Sequence, residues 1–393
     1  MKIVMLDRNS VGMDMDVSIF ERLGEFEAHD VADRESCKKW IKDADVVIFN
    51  KSRLDEDMLK DALDVQLLCV TATGFDNIDL EYARKRNIAV TNVRNYSTPA
   101  VAQHTFALAL YVMEKIGYYD NYVKSGAYSN QLGFSNFDEK YNELEGKTWG
   151  IIGLGNIGRK VASIAEAFGC KVIFYSASGM NDTNDYERVD LDTLLQESDI
   201  LSLHCPLTDR TRNLINKDTL RKMKTTAILV NVARGPVVND EDLYEALEEG
   251  VIAGAGLDVL GVEPMEKTNP LGKIKDSRKL LITPHMAWAS VEARTRCLEE
   301  VYKNIEAFVK GESLDKSNIL IDYKVLKREL NAVLDMLDHK DINEIPEFKN
   351  ESPSSEMIAA FIYTKLKERI VQLSKISVWE TQTSCASYYE EDQ

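Results

Sequence analysis

Short apolar runs alternate with amphipathic stretches from the start of the chain. Lys2–Leu6, Asp45–Phe49 and Leu67–Thr71 read as strands, and Val17–Leu23, Glu35–Ile41 and Asp57–Leu63 carry helical spacing. Strands that alternate with helices predict βαβ units and a parallel sheet. A long helical stretch then runs from Pro99 to Tyr122. Pro99 suits its first turn, where a missing N–H costs nothing.

A second alternating series follows. Lys147–Ile152, Lys171–Tyr175, Ile200–His204, Ala227–Val232, Gly256–Val259 and Leu280–Pro284 read as strands, and Ile157–Phe168 and Val291–Val309 as helices. The pattern changes after Gly311. Two helical stretches, Tyr323–Leu337 and Ser354–Ile370, precede two β-like segments, Ile376–Thr381 and Ala386–Tyr389. The expected fold class is α/β, with two doubly wound parallel-sheet domains and a separate α+β segment from 316 to 393.

Composition narrows the partners. A formal charge of −17 argues against nucleic acid, because that binding rests on cations that neutralise phosphates. No apolar run approaches the ~18 residues needed to cross a bilayer. The first residues read as a strand and not as a signal peptide, so the expected location is cytoplasmic. The six cysteines are scattered without a C-x-x-C, which suggests reduced thiols and neither a disulfide framework nor a metal site.

Gly153-Leu154-Gly155-Asn156-Ile157-Gly158 is a G-x-G-x-x-G between a strand and a helix. The first glycine permits a tight turn, the second lets backbone approach a pyrophosphate, and the third lets helix and strand pack closely. The next strand ends at Ser176, where a dinucleotide fold usually carries an acid for the ribose 2′-hydroxyl. Repulsion of a 2′-phosphate is therefore missing. The stretch from Ser176 to Glu187 nevertheless holds no Lys or Arg to bind one. The balance favours NAD, and NADP stays open.

Three segments follow apolar strands: Asn231–Gly235 with Arg234, Asp258–Pro264 with Glu263, and Thr283–Ser290 with His285. Ligands of open α/β sheets sit beyond the carboxyl ends of strands. Arg binds a carboxylate with a bidentate fork, His moves protons near neutrality, and a carboxylate beside His orients it and favours its charged form. Those three suit hydride exchange at a 2-hydroxy or 2-oxo acid.

On these elements, with His204-Cys205-Pro206-Leu207-Thr208 and Gly256-Leu257-Asp258-Val259, the chain up to about Leu314 resembles the D-isomer-specific 2-hydroxyacid dehydrogenases. Tyr96–Thr105 and His285–Ser290 look most like the glycerate dehydrogenase, or hydroxypyruvate reductase, branch. The resemblance implies a substrate domain of residues 1–97 and 289–315 around a Rossmann nucleotide domain of 98–288, in a homodimer. It assigns catalysis to Arg234, Glu263 and His285. It gives cofactor contacts to Gly153, Gly155, Asn156, Ile157, Gly158, Ser176, Cys205, Pro206, Val232, Arg234 and Asp258, and substrate contacts to Thr73, Gly74 and Arg234. His104 and His204 read as structural. The rival from another class is an NAD-sensing, corepressor-like interaction protein, which would not require the full Arg234, Glu263 and His285 set.

The tail is similar to the second half of a 6-pyruvoyl-tetrahydropterin synthase, through Leu320–Tyr323, Leu337–His339, Pro353–Ile358 and Val378–Ser384. That resemblance implies half of a T-fold, with Asp338 and His339 in proton transfer and Glu380 on a pterin. The half that would carry three zinc-binding histidines and a cysteine is absent. Of the five histidines only His339 lies in the tail, and a catalytic zinc usually needs three protein ligands. Three readings stay open: an oligomerisation element, a module completed by a partner chain, or a fusion without function.

Overall fold

The computed structural model describes residues 1–30, 33–179, 185–310, 330–334, 336–337, 345, 348, 354–368, 376–379 and 385–388. Two compact units emerge: Met1–Val93 with Glu300–Gln393, and Arg94–Glu299.

The first unit holds a parallel sheet of β1 (Lys2–Met5), β2 (Glu25–Ala28), β3 (Val46–Phe49), β4 (Leu67–Val70) and β5 (Ala89–Thr91), in the order β2-β1-β3-β4-β5. β3 and β4 are buried along their whole length, which explains their unbroken apolar sequences. Helices α1 (Arg34–Trp40), α2 (Glu56–Leu59) and α3 (Leu80–Lys85) each start at an aspartate whose side chain accepts a backbone N–H of the first turn. Val17–Leu23, expected as an α-helix, is a 3-10 turn over Ser18–Arg22. Periodicity did not reveal the edge strands β2 and β5; β2 reads Glu-Phe-Glu-Ala and none of its residues is buried. In the tail, α11 (Ser355–Lys367) packs on an antiparallel pair, β13 (Ile376–Trp379) and β14 (Cys385–Tyr388). Asp338, His339 and Glu380 lie outside the described residues.

The second unit is built on seven parallel strands: β6 (Thr148–Ile152), β7 (Lys171–Tyr175), β8 (Glu187–Arg188), β9 (Ile200–Leu203), β10 (Ile228–Asn231), β11 (Gly254–Leu257) and β12 (Leu280–Ile282). Their order is β12-β11-β10-β9-β6-β7-β8, so the winding reverses between β6 and β9. That reversal is the switch point at which open α/β sheets bind ligands. Helices α4 (Thr98–Met113), α5 (Ile116–Lys124), α6 (Asn156–Ala167), α7 (Leu191–Glu197), α8 (Lys217–Leu220) and α9 (Asp240–Glu249) belong to this unit, while α10 (Val291–Val309) contains the boundary. Beneath the sheet α4 packs on α6, β10 and β11. The single helix expected from Pro99 to Tyr122 is two, α4 and α5. Lys115 breaks it by taking a left-handed conformation, φ 56°, and its Nζ donates to the Arg278 carbonyl at 3.2 Å. The two parallel sheets are those that the strand–helix alternation predicts.

Candidate active site

The glycine loop lies at the switch point. Gly153 leaves β6 with φ 95°, and a Cβ there would come within 2.8 Å of the Cys205 nitrogen. A Cβ on Gly158 would sit 2.3 Å from the Gly153 carbonyl oxygen. Around Gly155, by contrast, nothing lies within 4 Å of where a Cβ would be. α6 begins without a side-chain cap and with no acidic residue in its first turn. Its leading N–H groups are thus left to an anion. A closed turn, an open approach and an uncapped helix start fit a bound pyrophosphate. Across the switch His204 follows β9 and donates its N–H to the Ile152 carbonyl at 2.8 Å, and Cys205 and Pro206 come next. Asn156 hydrogen-bonds Asn95, and Ser176 follows the last residue of β7.

β10, β11 and β12 are neighbours in register, with Asn231 opposite Leu257 and Leu257 opposite Ile282. Their outgoing loops therefore leave one edge of the sheet together. After β10 the Asn231 side chain accepts from the Ala233 N–H at 3.0 Å and donates to the Arg234 carbonyl at 3.1 Å. It shapes the turn through Val232 that presents the half-buried Arg234. Gly235 comes next, and a Cβ there would fall 1.7 Å from the Leu260 carbonyl oxygen. Only a glycine lets these two loops meet. Glu263 is fixed at both oxygens: Oε1 accepts the Leu260 N–H at 3.0 Å, and Oε2 lies 2.7 Å from Nδ1 of His285.

Asp258 is buried to 1% exposure and gives its carboxylate to the His285 loop. Oδ1 accepts the Thr283 hydroxyl at 2.6 Å and the Met286 N–H at 2.8 Å, while Oδ2 accepts the Ala287 N–H at 2.8 Å. Between these anchors His285 holds φ 53°, a left-handed conformation, with its own N–H on the Asp258 carbonyl at 2.8 Å. Such a conformation costs a non-glycine residue about 1 kcal/mol or more, so it persists only where neighbours impose it. Thr283 directs its proton to Asp258, so its oxygen accepts Nε2–H of His104 at 3.0 Å. Trp288 Nε1 donates to the His285 carbonyl at 3.0 Å, and its ring meets the edge of Tyr96.

Arg234, Glu263 and His285 thus share one edge of the second unit. Thr73 and Gly74 belong to the first unit, after β4; there Thr73 Oγ1 donates to the Val93 carbonyl at 2.9 Å. Sequence reasoning read His104 as structural without a partner and gave Asn231 no role of its own. Only the strand-end position of Asn231 could have signalled its part. Burial pushes the His204 imidazole down to about 3 and the Cys205 thiol up to about 11. Both therefore stay neutral near pH 7. Among the described residues no group of His, Cys, Asp and Glu could hold a metal ion. No helix among them is long and apolar enough to cross a membrane.

Residues 106–287 match the family model of the D-isomer specific 2-hydroxyacid dehydrogenase NAD binding domain, and residues 302–391 that of 6-pyruvoyl tetrahydropterin synthase. A hydroxypyruvate reductase of Blautia hydrogenotrophica is 36% identical over 324 residues, covering 81% of this chain and 100% of its own length. A glycerate dehydrogenase of Methylorubrum extorquens is 37% identical over 311 residues, covering 79% and 96%. Among solved structures, D-lactate dehydrogenase of Aquifex aeolicus, complexed with NAD and lactic acid, matches with TM-score 0.72 and 30% identity over 81% of this chain and 99% of that one.

His204 yields a pH prediction. Its neutral form is favoured in the fold, whereas in the unfolded chain it takes a proton below about 6.5. Its contribution to stability is therefore complete above that pH and is lost as pH falls toward 3. Between pH 7 and pH 5 the loss is on the order of 2 kcal/mol. Denaturant unfolding at both pH values should show a smaller pH-dependent loss for His204→Asn than for wild type. Equal losses would mean that the ring titrates freely in the folded protein.

Proposed function

The chain belongs to the D-isomer-specific 2-hydroxyacid dehydrogenase family, and we propose that Arg234 binds its substrate carboxylate, His285 moves the proton and Glu263 orients His285. The enzyme is an NAD-dependent oxidoreductase that acts on the CH–OH group of 2-hydroxy acids. When bound, the nicotinamide supplies or accepts the hydride. The observation that carries the residue roles is the 2.7 Å contact between His285 Nδ1 and a Glu263 carboxylate that the Leu260 N–H also holds. With Nδ1–H donated to Glu263, Nε2 is the atom left for the substrate oxygen. In reduction of a 2-oxo acid, Nε2–H of the charged ring gives its proton to the carbonyl oxygen as C2 takes the hydride. In oxidation the neutral ring takes the hydroxyl proton back. The guanidinium of Arg234 can hold the carboxylate through two parallel N–H bonds, which sets the face that C2 presents. In this reading residues 98–288 bind the nucleotide, while 1–97 and 289–315, with Thr73 and Gly74, hold the acid.

The substrate proposed is hydroxypyruvate in reduction and D-glycerate in oxidation. It rests on the two relatives named for those compounds and on the Tyr96–Thr105 and His285–Ser290 segments. Steady-state rates with hydroxypyruvate, glyoxylate and pyruvate test it, and a clear preference for either of the others would replace it. Arg234→Ala should lower kcat/KM by about 10²-fold or more through lost carboxylate binding. His285→Ala should lower kcat in both directions by about 10²–10⁴-fold. Unchanged kinetics in a folded variant removes that residue from the assignment.

A homodimer is the assembly proposed. Leu132, Phe134 and Phe137, within six residues of one another in the second unit, expose 108, 91 and 84% of their surface, apolar area that a second copy would shield from water. Light scattering should give a dimer for wild type and a monomer for Leu132→Ser with Phe134→Ser; a monomeric wild type would refute it. The buried thiols of Cys37, Cys69, Cys170, Cys205 and Cys297 support a reducing, cytoplasmic location.

For the tail, all proposed catalytic groups lie upstream. Removal of residues 316–393 should leave hydroxypyruvate reduction largely unchanged, and the intact chain should carry no stoichiometric zinc by elemental analysis. Loss of reduction in a truncated chain that keeps its folded signal would make the tail part of the active enzyme.

A further inference from the structure

We propose that Asn92 is a positioning residue for the substrate: it holds the Thr73 carbonyl so that the Gly74 N–H faces the carboxylate of the acid. The inference rests on the reading that Thr73 and Gly74 hold the acid, and adds the group that aims them.

Regular pairing of β4 with β5 ends with Cys69 opposite Thr91. Beyond that point the two chains stay tied by other means. The Val93 N–H donates to the Ala72 carbonyl at 3.0 Å, and Nδ2 of Asn92 donates to the Thr73 carbonyl at 2.8 Å. The Thr73 hydroxyl adds a third bond, to the Val93 carbonyl at 2.9 Å. A peptide group is planar and trans, so its N–H points opposite to its C=O. The carbonyls of Ala72 and Thr73 share their peptide groups with the N–H of Thr73 and the N–H of Gly74. Both carbonyls are drawn toward residues 92 and 93, so both N–H groups are turned away from them, to one side. Among the described residues neither N–H meets an acceptor. Adjacent donors on one side of a loop whose Thr73 is exposed suit the oxygens of a carboxylate.

The bond from Val93 is made by backbone and does not depend on its side chain. The bond to Thr73 depends on Asn92 alone. Asn92 is 1% exposed, and its Oδ1 has no donor among the described residues. A buried acceptor left unmet costs stability, so packing does not account for an amide at this position. What Nδ2 holds does account for it. The same bond polarises the peptide group and makes the Gly74 N–H a stronger donor.

Steady-state kinetics and the amide signal of Gly74, both on the full chain with NADH, test this. Labelling with [15N]glycine shows the glycine amides, and Gly74→Ala identifies the one in question. Oxamate, a carboxylate that is not reduced, is the probe. In wild type it should move the Gly74 amide proton downfield. Asn92→Leu keeps a similar shape without the donor, and should cut that shift by about half or more. It should raise KM for the preferred 2-oxo acid by about tenfold and leave kcat and the KM for NADH within about twofold. Asn92→Ala, which brings no bulk to misplace, should give the same split. A kcat loss with KM unchanged, or failure of both variants to fold, would make the amide a structural part and overturn the proposal. A Gly74 signal that moves alike in wild type and variants would overturn the role of Asn92 and uphold Gly74 as a substrate contact. A wild-type signal that oxamate leaves in place would overturn both.

Discussion

The buried carboxylate of Asp258 holds the last loop of the site in place. A charge taken out of water is costly unless each oxygen is met by a donor, and here a hydroxyl and two backbone N–H groups meet them. Those donors come from residues 283, 286 and 287, on either side of His285. Satisfaction of one buried anion thus defines the path of the loop and imposes the left-handed backbone at His285. From there the orientation passes outward, through Nδ1 of His285 to Glu263 and through Glu263 to the Leu260 N–H. The His285 ring thus stands between a buried carboxylate on one side and a half-exposed one on the other.

The sheet supplies the other half of the arrangement. Neighbouring parallel strands in register deliver their loops at one level, so Arg234, Glu263 and His285 need no long excursions to share an edge. At the reversal between β6 and β9 the loops diverge, and the glycine turn occupies the gap. The glycine turn and the loops that carry Arg234, Glu263 and His285 lie side by side because one winding rule places both.

Much of this was legible in the chain because its signals are local. The glycine loop, its flanking strand and helix, and three strand ends with Arg, Glu and His can each be recognised within a few residues. What escaped depends on partners distant in sequence. Lys115 breaks a helix through a contact with Arg278, which no periodicity announces. β2 and β5 are edge strands of four and three residues, too short for a period to stand out. Arg188 lies one residue beyond the stretch from Ser176 to Glu187, and only the pairing of β8 with β7 returns it to the turn that follows β7. The clamp at Asp258 reads in sequence as one more acid after a strand, since its donors appear only when the next loop folds over it.

The contact at Gly235 has a consequence for the entropy of substrate binding. With the Leu260 carbonyl occupying the space of a side chain, the loop that bears Arg234 and the loop that leads to Glu263 form one piece. Their conformational freedom is lost when the chain folds and not when a substrate arrives. A ligand held between two loops already fixed to each other pays less ordering entropy at that contact than one that must bring them together.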